Sequence, residues 1–172
     1  MKNHIIISLL ILSVGLSQQE YHSNDLVQMD NGLWTIKFSD EPISGKVYGY
    51  FGEKRPYKKV YIGKIVYGKK EGKWVDYYHS TGKKKYEENW KDGKEDGLWT
   101  SWYENGQKKG EGTFKDGKLH GFSTFWYENG QKSEEGTHKN GEQDGLWTQW
   151  YENGQKRESK LYKDGEEIEF TE

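Results

Sequence analysis

The chain has 172 residues, with 26 Lys+Arg against 28 Asp+Glu, no cysteine, and 31% hydrophobic residues. The near balance of charge excludes the strongly basic surface of a nucleic-acid binder. Without cysteine there are no disulfides or thiolate metal sites, and a chain with 22 Gly and no Ala is a poor helix former.

Lys2 precedes the short apolar run Ile5 to Leu16, and Gly15 and Ser17 stand at the spacing a signal peptidase prefers. The expectation is a signal peptide over residues 1–17, cleaved after Ser17, and an exported chain: periplasmic, envelope-associated or secreted. Cleavage removes only Lys2 of the basic residues, which leaves the mature chain near −3. No other stretch is apolar enough to cross a bilayer as a helix.

Residues 18–44 read as an N-terminal lead and cap hairpin. Gly32-Leu33-Trp34-Thr35 matches Gly97-Leu98-Trp99-Thr100, and Phe38 falls where Tyr103 does. Residues 45–172 read as a repeat array. Gly45 to Phe51 opens one unit and Gly72-Lys73-Trp74 a second. Three closely matched units then begin at Gly97, Gly121 and Gly145, 24 residues apart. A fixed period in the twenties marks one supersecondary unit stacked on itself.

Each unit contains two strand runs and two turns. Trp99 to Tyr103 is rich in strand formers, and Glu104-Asn105-Gly106-Gln107 follows as a turn. Asn-Gly predicts a two-residue type I′ hairpin, at Asn129-Gly130 and Asn153-Gly154 as well. The return strand ends at Asp116-Gly117, with cognates Asp92-Gly93, Asn140-Gly141 and Asp164-Gly165. Short turns join antiparallel neighbours. The fold class expected is therefore all-β: an elongated single-layer antiparallel meander of hairpin repeats.

Alternation sends Trp99, Ser101 and Tyr103 to one face and Leu98, Thr100 and Trp102 to the other. Structural aromatic rows follow: Trp74, Trp99 and Trp147, interrupted by Ser123, with Tyr103, Tyr127 and Tyr151 beside them. Trp102, Trp126 and Trp150 form the opposite row. Gly112 and Gly136 on the intervening strands leave room for large rings to close over them. Glu166 to Glu172, acidic around Ile168 and Phe170, suits a last edge strand protected by charge.

The pattern Gly-x-Trp-x-x-Trp-Tyr-Glu-Asn-Gly-Gln-Lys followed by Lys-Asp-Gly-Lys resembles the bacterial variant of the MORN repeat. Asp40-Glu41-Pro42-Ile43-Ser44-Gly45-Lys46-Val47 is similar to the opening segment of YwqK-family antitoxins built from such repeats. The resemblance implies a MORN-like β-hairpin array that recognises a protein or membrane surface. It assigns no binding residue, because the matched positions build the hairpin.

No catalytic, metal or cofactor motif is found. His4, His22, His79, His120 and His138 lack zinc-site spacing, and His120 and His138 read as drift from the repeat's Asp and Phe positions. The chain reads as a non-enzymatic interaction scaffold with a protein or membrane-surface partner and no nucleic acid. The alternatives are a carbohydrate or cell-wall binding module and an immunity protein against a secreted toxin. Residues that vary between otherwise matching units are free of the hairpin's demands. Ser101, Phe125, Gln149, Lys109, Ser133 and Arg157 are therefore the candidate partner-binding surface.

Overall fold

The computed structural model describes residues 19–51 and 58–169. The expected signal peptide and the Phe170 end of the expected edge strand lie outside the described residues. Among those described, strands dominate, and the helical content is one 3-10 turn at Ser23–Asp25.

The main sheet is a single meander. Its principal strands are β4 (Gly45–Phe51), β5 (Lys58–Val66), β6 (Lys69–Tyr77), β7 (Lys84–Lys91), β9 (Gly97–Trp102), β10 (Lys108–Lys115), β12 (Gly121–Trp126), β13 (Lys132–Lys139), β14 (Glu142–Trp150) and β15 (Lys156–Lys163). These pair antiparallel in chain order, and β16 (Glu166–Ile168) closes the C-terminal edge. The short strands β8 (Lys94–Glu95) and β11 (Lys118–Leu119) only extend hairpins. With twelve strands along the path and about 4.8 Å between neighbours, the sheet runs to roughly 50 Å. One pairing departs from the antiparallel rule. The N-terminal strand β1 (Glu20–His22) lies parallel to β4 and covers the other edge.

The turns correct the sequence reading. Type I′ geometry needs positive φ at both central residues. It occurs at Asp92-Gly93, Asp116-Gly117, Asn140-Gly141 and Asp164-Gly165, where φ is 48–55° for the Asp or Asn and 81–93° for the Gly. At the Glu-Asn-Gly turns only Gly106, Gly130 and Gly154 have positive φ. There Gly106 N–H donates to Tyr103 O at 2.9 Å and Tyr103 N–H to Gln107 O at 2.8 Å, so a tight turn ends in a left-handed Gly. Asn105 takes part through its side chain instead, its Oδ1 accepting from Gln107 N–H at 2.8 Å. A three-residue loop of this kind inserts an extra residue. Each unit accordingly carries a bulge beside the turn, between Phe125 and Trp126 and between Gln149 and Trp150.

In the N-terminal lead the likeness to a repeat unit is corrected. β2 (Leu26–Gln28) and β3 (Trp34–Ile36) form their own two-stranded sheet rather than another unit of the array. Phe38 does not take the place of Tyr103. It sits in a turn closed by Ser39 N–H to Ile36 O, with φ of 66° and its ring fully exposed. Buried Thr35 ties this turn from behind, its hydroxyl reaching Ser39 O at 3.1 Å and Glu41 O at 2.7 Å. The hairpin is sewn to the array through Trp34 N–H to Gly68 O and Gly68 N–H to Ile43 O. At that junction Ile43, Val47, Ile65 and Trp74 form the buried core, flanked by Tyr21, Leu26, Trp34, Ile62 and Trp90.

Candidate functional site

The two faces of the sheet differ in kind. On the first, the indoles of Trp74 and Trp147 are buried. Each folds back over the glycine eleven residues earlier, Gly63 or Gly136, where an added methyl would overlap the ring. Each Nε1–H donates to a carbonyl on that same strand: Trp74 to Lys64 O at 3.2 Å, Trp147 to Thr137 O at 3.0 Å.

Trp99 cannot do this, because Glu88 stands eleven residues before it. Its ring leans forward instead, over Gly110 and Gly112, and its buried Nε1 has no partner. That ring fills the slot a Trp at 123 would use, so position 123 is Ser. The ring of that unit moves two residues along the same face to Phe125, whose centroid lies 6.1 Å from Trp99. Ser123 Oγ sits 3.2 Å from His138 Nδ1, and the imidazole packs edge-on to Trp147 at 4.8 Å. Burial holds the His138 imidazole below the usual histidine range. The departures Ser123, Phe125 and His138 are thus one coordinated repacking.

The opposite face is open. Leu98, Phe122 and Leu146 are 58%, 58% and 54% exposed, each at the same place in its unit. They oppose Thr113, Thr137 and Leu161 across the hairpins. Successive members lie two strands apart, about 10 Å. By alternation Lys115, Lys139 and Lys163 share this face, two residues beyond the opposing positions. Higher up, Trp102, Trp126 and Trp150 are half-buried, with the ammonium of Lys84, Lys108 or Lys132 5.6–5.7 Å from the ring centroid. Lys108 also pairs with Glu111 at 2.5 Å, and Lys132 with Glu135 at 2.6 Å.

The six candidate partner-binding residues divide between environments. Ser101 is buried with its hydroxyl 3.4 Å from Gly110 O. Phe125 packs on Trp99, and Gln149 Nε2 donates to Glu134 at 3.0 Å. Lys109 and Arg157 are exposed at the hairpin ends, Lys109 5.6 Å from the Tyr103 centroid and Arg157 3.4 Å from Glu158, while Ser133 is half-buried. The open row Leu98, Phe122 and Leu146 was not singled out from sequence, although its fixed place in each unit was visible there.

The tyrosine row links units. Tyr78, Tyr103 and Tyr127 donate to the carbonyls of Trp102, Trp126 and Trp150 one unit later, at 2.7–2.8 Å. Asn105 and Asn129 donate likewise to Glu128 O and Glu152 O, at 3.0 and 2.7 Å. Among the described residues no cluster of His, Asp and Glu has metal-ligand geometry, and no helix is long and apolar enough to cross a membrane.

Three consecutive segments, residues 95–116, 119–140 and 143–164, match the family model of the MORN repeat variant. Each holds one complete hairpin, an outgoing strand, its Glu-Asn-Gly turn and the return strand, and ends at the Asp or Asn that opens the type I′ turn. This repeat type is non-catalytic and mediates protein or membrane binding. No curated protein matches the chain.

Proposed function

We propose that the protein is an exported, non-enzymatic interaction scaffold whose open sheet face receives a protein or membrane-surface partner. The observation that carries this reading is the periodic exposed row Leu98, Phe122 and Leu146. Its opposite face already packs the indoles, so this row serves no core. Large apolar side chains repeated on an exposed surface mark contact sites. The lysines beside the row favour a partner that offers apolar groups with an acidic or anionic rim. Export rests on the N-terminal apolar segment, and fractionation of cells producing the full chain tests it.

The surface is tested with a chain carrying Leu98→Ser, Phe122→Ser and Leu146→Ser together. Envelope extracts and anionic vesicles are offered in parallel to this chain and to the parent. The expected result is a specific partner, protein or vesicle, retained by the parent and lost by the triple variant at unchanged melting temperature. Equal retention by both chains removes the open face from the function.

A further inference from the structure

Trp34, Trp74 and Trp90 come from three different strands and meet around one ammonium. Lys70 Nζ lies 4.2 Å from the Trp90 centroid, 4.6 Å from Trp74 and 6.0 Å from Trp34. Among the described residues no carboxylate forms an ion pair with it and no acceptor takes its N–H donors. The ammonium is half-buried over the indole faces, with one side still open to the adjoining cavity, and burial pushes the amine's pKa down, against the pull of Glu88, Glu95 and Asp76.

A primary ammonium is a poor occupant of such a place. It is strongly hydrated and carries three donors that indole faces cannot satisfy as acceptors. A quaternary ammonium has no donors to leave unmet and keeps the whole attraction to the ring faces. Beside the cage lies a partly open cavity of about 430 Å³, lined by Ser23, Ile62, Trp74, Tyr86, Asp76 and Glu88 along with Lys70 itself. It offers room for the remainder of a small ligand and for the lysine stem to swing. Its two carboxylates favour a cation and disfavour a phosphate next to it.

We propose that the Trp34–Trp74–Trp90 cage is a binding site for a quaternary ammonium of the choline type, covered in the free chain by Lys70 as a displaceable occupant. The site is separate from the open face of the array. Free choline and a choline headgroup carried on phosphate share the recognised chemistry, and the carboxylates of the cavity select the former.

The experiment titrates the full chain with choline chloride, phosphocholine and, at matched ionic strength, potassium chloride. Tryptophan fluorescence and calorimetry report binding. The parent should give a saturable response to choline, a weaker one to phosphocholine and none to potassium chloride. Lys70→Ser removes the competitor and should tighten choline binding about tenfold. Trp90→Leu should abolish it in a chain whose circular dichroism is unchanged. If Trp90→Leu fails to fold, the Lys70→Ser titration decides. A choline response equal to that of potassium chloride, or an affinity unmoved by Lys70→Ser, overturns the proposal. Tighter binding of phosphocholine than of choline overturns the assigned selectivity.

Discussion

A single glycine decides which way each indole of the packed face lies. Gly136 admits the Trp147 ring, so Gly136→Ala should cost about 1–3 kcal/mol through overpacking. Trp147→Ala should cost about 3–5 kcal/mol, because its ring is buried and hydrogen-bonded. Trp126 on the other face is half-buried under Lys108, and Trp126→Ala should cost roughly half as much. Urea denaturation of the three variants checks the order, and equal losses at Trp126 and Trp147 would show that the two faces are packed alike. His138 adds a pH term. Its folded pKa is lowered, so between the folded and unfolded values the unfolded chain binds more protons and stability rises with pH. The contribution of neutral His138 is complete above about pH 6.5 and drains away as pH falls through that value towards the folded one. Comparing parent and His138→Phe from pH 7.5 to 5 should show a steeper loss in the parent. Parallel curves would mean that His138 titrates alike in both states.

At the scale of the hairpin, stability depends on what one unit hands to the next. Tyr127 donates to Trp150 O at 2.7 Å, whereas Tyr151 has no following unit and is 52% exposed. Tyr127→Phe should therefore cost about 0.5–1.5 kcal/mol and Tyr151→Phe almost nothing. Thermal melts of the pair test whether the tyrosine ladder couples the units; indistinguishable losses would assign it no such role. Much at this scale was legible from the chain. The 24-residue period, the Gly punctuation and the period-two aromatics gave the strands, their antiparallel order and the ring-over-glycine packing. The turn chemistry was exchanged, because Asn-Gly has two solutions. The preceding Glu and the side-chain cap of Asn105 favour the three-residue loop, and nothing in the dipeptide alone separates them. The Ser123–Phe125–His138 repacking was not legible, with His138 reading as drift and Phe125 as a partner-binding candidate, since it depends on Glu88, which lies 35 residues before Ser123 and reaches it only through the Trp99 ring. The cage around Lys70 was equally hidden, because its three indoles come from strands with no common spacing.

Across the whole molecule, contacts run almost entirely between adjacent strands, so stability should behave as a sum of units and their interfaces. The sum is not uniform. The largest buried cluster, Ile43, Val47, Ile65 and Trp74, sits where the cap hairpin meets the array, and the Lys70 cage joins Trp34 of the cap to Trp74 and Trp90. At the other end β15 and β16 bury no residue fully, and β16 is exposed along its length. Two truncations separate these contributions. A chain ending at Gly141 loses β14 to β16 and exposes a new edge at β13. It should remain folded with a lower urea midpoint, because the units before it keep their own interfaces. A chain beginning at Gly45 loses the cap and uncovers Val47 and Trp74. It should lose more stability than the C-terminal truncation, although it removes only the two-stranded hairpin, β1 and their connections. Far-ultraviolet circular dichroism under urea measures both. Should the C-terminal truncation unfold the whole chain while the N-terminal one leaves the midpoint unchanged, the array would depend on its last unit, and the cap would be an appendage rather than the anchor from which the stack is held.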